Sequence, residues 1–148
     1  MKIGVSACLL GVNCKYNGEN NFSEKLKKYL EGHKVVPLCP EVMGGLSTPR
    51  VPAELVEGEV MNREGRSVDE AFRKGAEIAL RRVVEEDVEL VILQSRSPSC
   101  GVKEVYDGSF SGKLIPGKGV FAARLEEAGI PAIDIEDVDE FTLKGERR

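Results

Sequence analysis

At 148 residues the chain suffices for one compact domain whose core needs no disulfide staples. Its make-up, 41% hydrophobic and 31% charged, is that of a globular protein, and no apolar run approaches the ~20 residues that cross a bilayer. A net charge of -4 excludes a dominant nonspecific hold on nucleic acid, though not a small anionic substrate held by a few local donors.

The opening MKIGVSACLL has too short an apolar stretch for a secretion signal and lacks its small-residue cleavage pattern. The expected compartment is the cytoplasm. Lys2–Ala7 reads instead as a buried first strand leading straight into Cys8. Asn21-Phe22-Ser23-Glu24 looks like a helix start, with Asn21 as cap and Glu24 three residues on. Phe22, Leu26, Tyr29 and Leu30 share a helical face, and Gly32 closes the helix. Lys34–Leu38 is a second apolar strand ending at Cys39, with Pro37 as its one discordant residue.

Glycine and proline then become frequent, and Glu54–Val56 with Val60–Asn62 suggest a small hairpin. Ser67-Val68-Asp69-Glu70 reads as a capping box before a stripe of Phe72, Ala76, Ala79, Leu80 and Val83. Glu89–Gln94 is the clearest strand, and the loop after it carries Ser97-Pro98-Ser99-Cys100-Gly101. A helix through Phe121, Leu125 and Ala128, stopped by Gly129, leads to a last strand at Pro131–Ile135 and a short helix near Asp137–Leu143. Lys144–Arg148 reads as a solvated end.

This alternation predicts an α/β fold: one domain over 1–148, a Rossmann-like three-layer sandwich with a mainly parallel four-stranded sheet. Right-handed crossovers give a strand order of 2-1-3-4.

Four cysteines in a reducing cytoplasm point away from disulfides and toward metal binding, catalysis or burial. The one histidine, His33, follows a helix end and suits a surface or dipole role, so a site must be built from thiolates, carboxylates and hydroxyls. Cys8, Cys39 and Cys100 each follow one of three strands that the predicted order makes neighbours. Ligands bind beyond the carboxyl ends of such strands, and strands ~4.8 Å apart let three thiolates meet around one inorganic centre. Cys14, six positions past Cys8 and tied to no strand end, reads as buried or supporting. No CxxC pair is present for a zinc ribbon or a thioredoxin-type couple.

Around Cys39, Glu41 stands where a carboxylate can act as general base toward a water or substrate proton, or simply face solvent. Arg50 offers a planar fork to a substrate phosphate or carboxylate, or an ordinary ion pair. Gly44-Gly45 would let amides approach a ligand, or form a plain turn. Ser97 and Ser99 can each orient a substrate, donate to a cluster sulfur, or cap their own turn. Pro116-Gly117-Lys118-Gly119, ahead of a helix, is a weak anion motif and more simply a turn.

Ser6-Ala7-Cys8-Leu9-Leu10-Gly11, Cys14-Lys15-Tyr16-Asn17-Gly18, Cys39-Pro40-Glu41 with Gly44-Gly45-Leu46 and Pro49-Arg50, and Ser97-Pro98-Ser99-Cys100-Gly101 together resemble, in order, the thiouracil desulfurase (desulfidase) family. The resemblance covers nearly the whole chain. It implies a 4Fe–4S cluster held by Cys8, Cys39 and Cys100 alone, with Glu41 and Ser97 as catalytic carboxylate and serine. The implied activity is non-redox, hydrolytic desulfuration of a thiolated pyrimidine, thiouracil or a thiouridine nucleotide, to the oxo base with release of hydrogen sulfide. Three protein ligands would leave one iron open to a soft thiocarbonyl sulfur. The rival is a non-enzymatic iron–sulfur or metal-binding protein, a sulfur carrier or sensor using the same thiolates. No membrane partner is expected.

Overall fold

The structure, a computed structural model, describes residues 1–138 of the chain. In chain order the elements are β1 (Lys2–Ser6), α1 (Glu24–Leu30), β2 (Lys34–Leu38), α2 (Pro40–Met43), β3 (Ala53–Val56), β4 (Glu59–Asn62), α3 (Asp69–Glu85), β5 (Leu90–Leu93), β6 (Glu104–Tyr106), β7 (Leu114–Pro116), α4 (Val120–Glu127) and β8 (Ala132–Asp134), with single 3-10 turns at Ala7–Leu10 and Ile135–Asp137. Most of the helix expected near 137–143, and the tail after it, lie outside the described residues.

The apolar runs set the sheet. Four parallel strands lie in the order β2-β1-β5-β8, which is the expected 2-1-3-4. Ile3 and Val5 of β1 and all of β5 are buried, as continuous apolar strands covered on both faces must be. Pro37 is tolerated because β2 is an edge strand and its ring faces outward.

Two apolar layers flank the sheet. On one side Phe72, Ala76, Ala79 and Val83 of α3 and Phe121 and Leu125 of α4 pack on Leu38, Val91 and Leu93. On the other, Leu26 and Leu30 of α1 pack on Ile3, Val5, Leu90 and Ile92. A full burial of each large side chain here contributes ~1.5–3 kcal/mol, enough together to hold the three layers.

Several local expectations are corrected. The cap of α1 is Ser23, whose Oγ accepts from Leu26 N at 3.1 Å, not Asn21. Phe22 is consequently outside the helix and 45% exposed. The capping box before α3 does not form: Ser67 Oγ donates to Glu59 Oε2, and Asp69 opens the helix while its Oδ1 accepts from Val60 N. Ala128 lies on the exposed end of α4 rather than on its buried stripe. The β3–β4 hairpin is as expected, but the antiparallel β6–β7 hairpin was not foreseen.

Gly44 does not offer its amide to a ligand. Gly44 N donates to Pro40 O and Gly45 N to Val42 O, closing α2. Its lack of a side chain serves packing instead: a Cβ on Gly44 would strike Ala71 O, and one on Gly75 would strike Pro40 O. Two glycines thus let α2 lie backbone to backbone on α3, which fixes where Cys39 and Glu41 sit.

Candidate active site

The carboxyl ends of β1, β2 and β5 open into one cleft of about 820 Å³, lined by Cys8, Cys14, Cys39 and Cys100 with Glu41, Arg50 and Ser97. Each cysteine reaches it by a different device. Cys8 sits in the 3-10 turn directly after β1, with its carbonyl accepting from Gly11 N and Asn21 N. Cys39 is the residue before α2, and its carbonyl takes the first helical bond from Met43 N. Cys100 lies in the loop past β5.

That loop is clamped by α4. Val120 N donates to Pro98 O, and Phe121 N and Ala122 N both donate to Ser99 O. Gly119 packs so closely on Ser99 that a Cβ there would overlap its carbonyl. The first-turn amides of α4 are therefore engaged by the Cys100 loop, so the anion reading of Pro116–Gly119 is withdrawn.

All four cysteines are free thiols. Cys14 is buried in the same apolar cluster as Cys8, and its thiol hydrogen-bonds with those of both Cys8 and Cys39. The Cys14 bond, with help from Asn21, holds the Cys8 thiol below its ordinary pKa against burial and the charges of Cys100 and Cys39. Cys39 is raised, first by its bond to Cys14 and then by burial. Cys14 is pushed up to about 11, because Cys8 and burial outweigh the pull of Cys39. Burial pushes Cys100 up to about 12, with the Ser6 and Ser99 hydroxyls pulling the other way. A metal centre would displace protons from these thiols on binding.

Two partners of cysteine sulfur, Asn21 and Ser6, were not expected from the sequence. Asn21 Nδ2 donates to Cys8 Sγ at 3.8 Å, whereas Ser99 Oγ lies 3.6 Å from Cys100 Sγ but gives its one proton to Glu41. Ser6, 2% exposed, hydrogen-bonds the Cys100 thiol and accepts from Gln94 N at 3.0 Å. Hydrogen bonds of this kind tune a thiolate-bound cluster. Ser6 stands two residues before Cys8 but serves Cys100, and Asn21 is thirteen positions from Cys8, so neither partner could be chosen from spacing.

Glu41 is the hub of the polar wall. Its Oε1 accepts from Arg50 Nε at 3.3 Å and Nη2 at 3.1 Å, and its Oε2 accepts from Ser99 Oγ at 2.8 Å. Arg50 also donates to Cys14 O, Ser47 O and Thr48 Oγ1, so its fork is engaged within the protein rather than held open for a substrate anion. Ser97 Oγ accepts from Ser99 N and Cys100 N and lies 2.9 Å from Ser99 Oγ. Since the Ser99 proton is directed at Glu41, Ser97 is the donor of that 2.9 Å bond. The result is a chain of hydroxyls, Ser97 to Ser99 to Glu41, running from the cleft to the carboxylate. Ser97 faces the cleft, while Ser99 is fully buried behind it.

Among the described residues no group of three or more His, Cys, Asp or Glu gathers tightly enough to hold a single metal ion. Three thiols at separate strand ends suit a cluster instead, whose irons occupy different corners and draw their sulfur ligands from further apart. The donor set fits a 4Fe–4S centre.

The fold and site define an α/β protein with a cysteine-lined pocket at the carboxyl ends of a parallel sheet, the place where such folds bind their ligands. The 2-thiouracil desulfurase family matches over residues 3–137, and the chain belongs to that family. The protein YbbK of Bacillus subtilis (strain 168), itself uncharacterized, is 40% identical over 147 residues, spanning 93% of this chain and 97% of YbbK. A solved structure described as the 4Fe-4S-dependent thiouracil desulfidase TudS matches with a TM-score of 0.91 at 36% identity, covering 99% of each chain. The expected family and fold are borne out, and at the level of family and structural neighbour so is the enzyme class, a 4Fe–4S-dependent thiouracil desulfidase.

Proposed function

We propose that this chain replaces the thiocarbonyl sulfur of a thiouracil by oxygen, by hydrolysis, with Cys8, Cys39 and Cys100 as cluster ligands and Glu41 and Ser97 as the reacting side chains. The observation that carries the reading is the meeting, in one cleft, of three strand-end thiols and the Ser97–Ser99–Glu41 hydroxyl chain.

When bound through three thiolates, the cluster supplies a Lewis-acidic iron with an open position for a soft sulfur. Glu41 takes a proton from the water that adds to the thiocarbonyl carbon. Three hydrogen bonds fill all but about one of its lone-pair directions, leaving room for that water. Ser97 faces the substrate and exchanges protons with Glu41 through Ser99. Arg50 orients Glu41 rather than touching the substrate. The carbon–sulfur bond breaks with its electron pair going to sulfur, which leaves as hydrogen sulfide. Water and thiocarbonyl become carbonyl and hydrogen sulfide, with no net electron transfer.

Cys14 is a supporting thiol that holds Cys8 and Cys39 in register. No helix among the described residues is long and apolar enough to cross a membrane, and four free thiols fit the proposed cytoplasmic setting. The test is anaerobic reconstitution followed by a panel of thiobases and thionucleotides. Sulfide release with stoichiometric oxo base supports hydrolysis; a loaded cluster without turnover of any substrate would favour a carrier or sensor.

A further inference from the structure

Part of the cleft lining comes from residues the reaction does not use. Tyr106, Phe110 and Gly112 of the β6–β7 hairpin line the cleft together with Glu54, Asn62 and Arg63 from the β3–β4 hairpin and its end, and the two groups touch. Phe110 is the unusual member. Its φ of +56° is in the left-handed region, which an aromatic residue adopts only at a cost and under external constraint.

The constraint is visible. Glu54 Oε1 reaches from β3 to accept from both Gly108 N at 3.0 Å and Phe110 N at 3.1 Å. Gly108, at φ +94°, lies so close to β3 that a Cβ would stand 2.7 Å from Leu55 O. The Arg63 guanidinium stands 5.9 Å from the centre of the Phe110 ring. A carboxylate, a glycine and a guanidinium from three positions hold one aromatic ring at the wall of the cleft.

We propose that Phe110 is a specificity-determining residue: its ring is the surface on which the planar pyrimidine of the substrate stacks, with Glu54 as the positioning residue that holds it there. The inference rests on the thiouracil reading above and names the part of the site that recognises the ring rather than the sulfur. Stacking on an aromatic face is a general way to bind a flat heterocycle, because every base has a π-face. It also leaves the sulfur edge free to point toward the cysteines.

The test compares reconstituted wild type, F110A, F110L and F110Y with 2-thiouracil. F110A and F110L are expected to raise KM about tenfold, equivalent to ~1.4 kcal/mol, with kcat changed by less than about twofold; F110Y is expected to restore KM. The chain has no tryptophan, so F110W places a single tryptophan in the wall, excited selectively beyond the tyrosine band, and titration of the holoprotein with uracil should quench it saturably. An unchanged KM in F110A, or an F110Y as impaired as F110A, overturns the stacking wall. Should wild type release no sulfide, the desulfuration reading falls, and the F110W titration still decides the wall: saturable quenching supports it and a flat response overturns it.

Discussion

Glu41 accepts a hydrogen bond from Ser99 Oγ at 2.8 Å across 58 positions of sequence, joining α2 to the loop after β5. The bond explains why two serines flank Pro98: Ser97 faces the cleft and Ser99 connects it to the carboxylate. Glu41→Gln keeps an acceptor but cannot take a proton, so turnover should fall at least ~10³-fold while the brown cluster absorbance remains. Ser99→Ala breaks the chain in the middle and should cost about 10–100-fold in kcat, with KM little changed. A normally active Glu41→Gln removes Glu41 from the mechanism.

Arg50 is nearly buried, with 9% of its side chain exposed, and its ion pair with Glu41 is shielded from solvent. Arg50→Met leaves the Glu41 charge with no cation and frees the carbonyls of Cys14 and Ser47. Removing one partner of a shielded pair costs ~3 kcal/mol. Arg50→Lys should recover part of that stability but little activity, because a point charge cannot hold Glu41, Thr48 and two carbonyls at once. Urea unfolding beside steady-state kinetics separates the two effects; full activity in Arg50→Lys contradicts the positioning role.

Gly75→Ala looks innocuous in a helix, where alanine is intrinsically favoured by ~1 kcal/mol. Here its methyl would collide with Pro40 O. The expected result is a net loss of about 1–3 kcal/mol by overpacking, together with weaker cluster loading because α2 carries Cys39 and Glu41. A Tm equal to or above that of wild type would show that α2 can shift without harm.

Asp134 gives a pH signature of its own. It is 1% exposed at the end of β8; Oδ1 accepts from Glu136 N at 2.8 Å and Oδ2 has no hydrogen-bond partner among the described residues. Burial raises its carboxyl above the usual range. A carboxyl raised by folding supports the fold when protonated: that contribution is complete below the ordinary value of ~3.9 and is lost as pH rises through the raised one. Asp134→Asn should therefore be about 1 kcal/mol more stable near neutrality, with the gain shrinking to zero below about pH 4. Unfolding midpoints measured from about pH 3 to 8 check this; a difference that does not vary with pH contradicts it.

The sheet order and the convergence of Cys8, Cys39 and Cys100 were legible because both follow from local signals, apolar runs of strand length and a cysteine at the end of each. Pro37 did not mislead, since an edge strand needs no amide there. The β6–β7 hairpin was not legible: its strands are three residues long, and the segment between them is a polar Gly- and Ser-rich stretch with no alternation. The tight α2–α3 contact was hidden for a different reason. Gly75 interrupts a good helical stripe, and only the neighbouring backbone shows why. Ser23, directly before Glu24, caps α1 in place of Asn21, whose amide turns toward Cys8. Arg50 read equally well as substrate ligand or ion pair, and a partner 9 positions away cannot be chosen from spacing.

The most direct test of the account is iron and acid-labile sulfide counting on anaerobically reconstituted single-cysteine variants. About four irons and four sulfides per chain are predicted for wild type and for Cys14→Ser, with loading largely lost in Cys8→Ser, Cys39→Ser and Cys100→Ser. Full loading in any of those three, or its loss in Cys14→Ser, would contradict the assignment of the ligands.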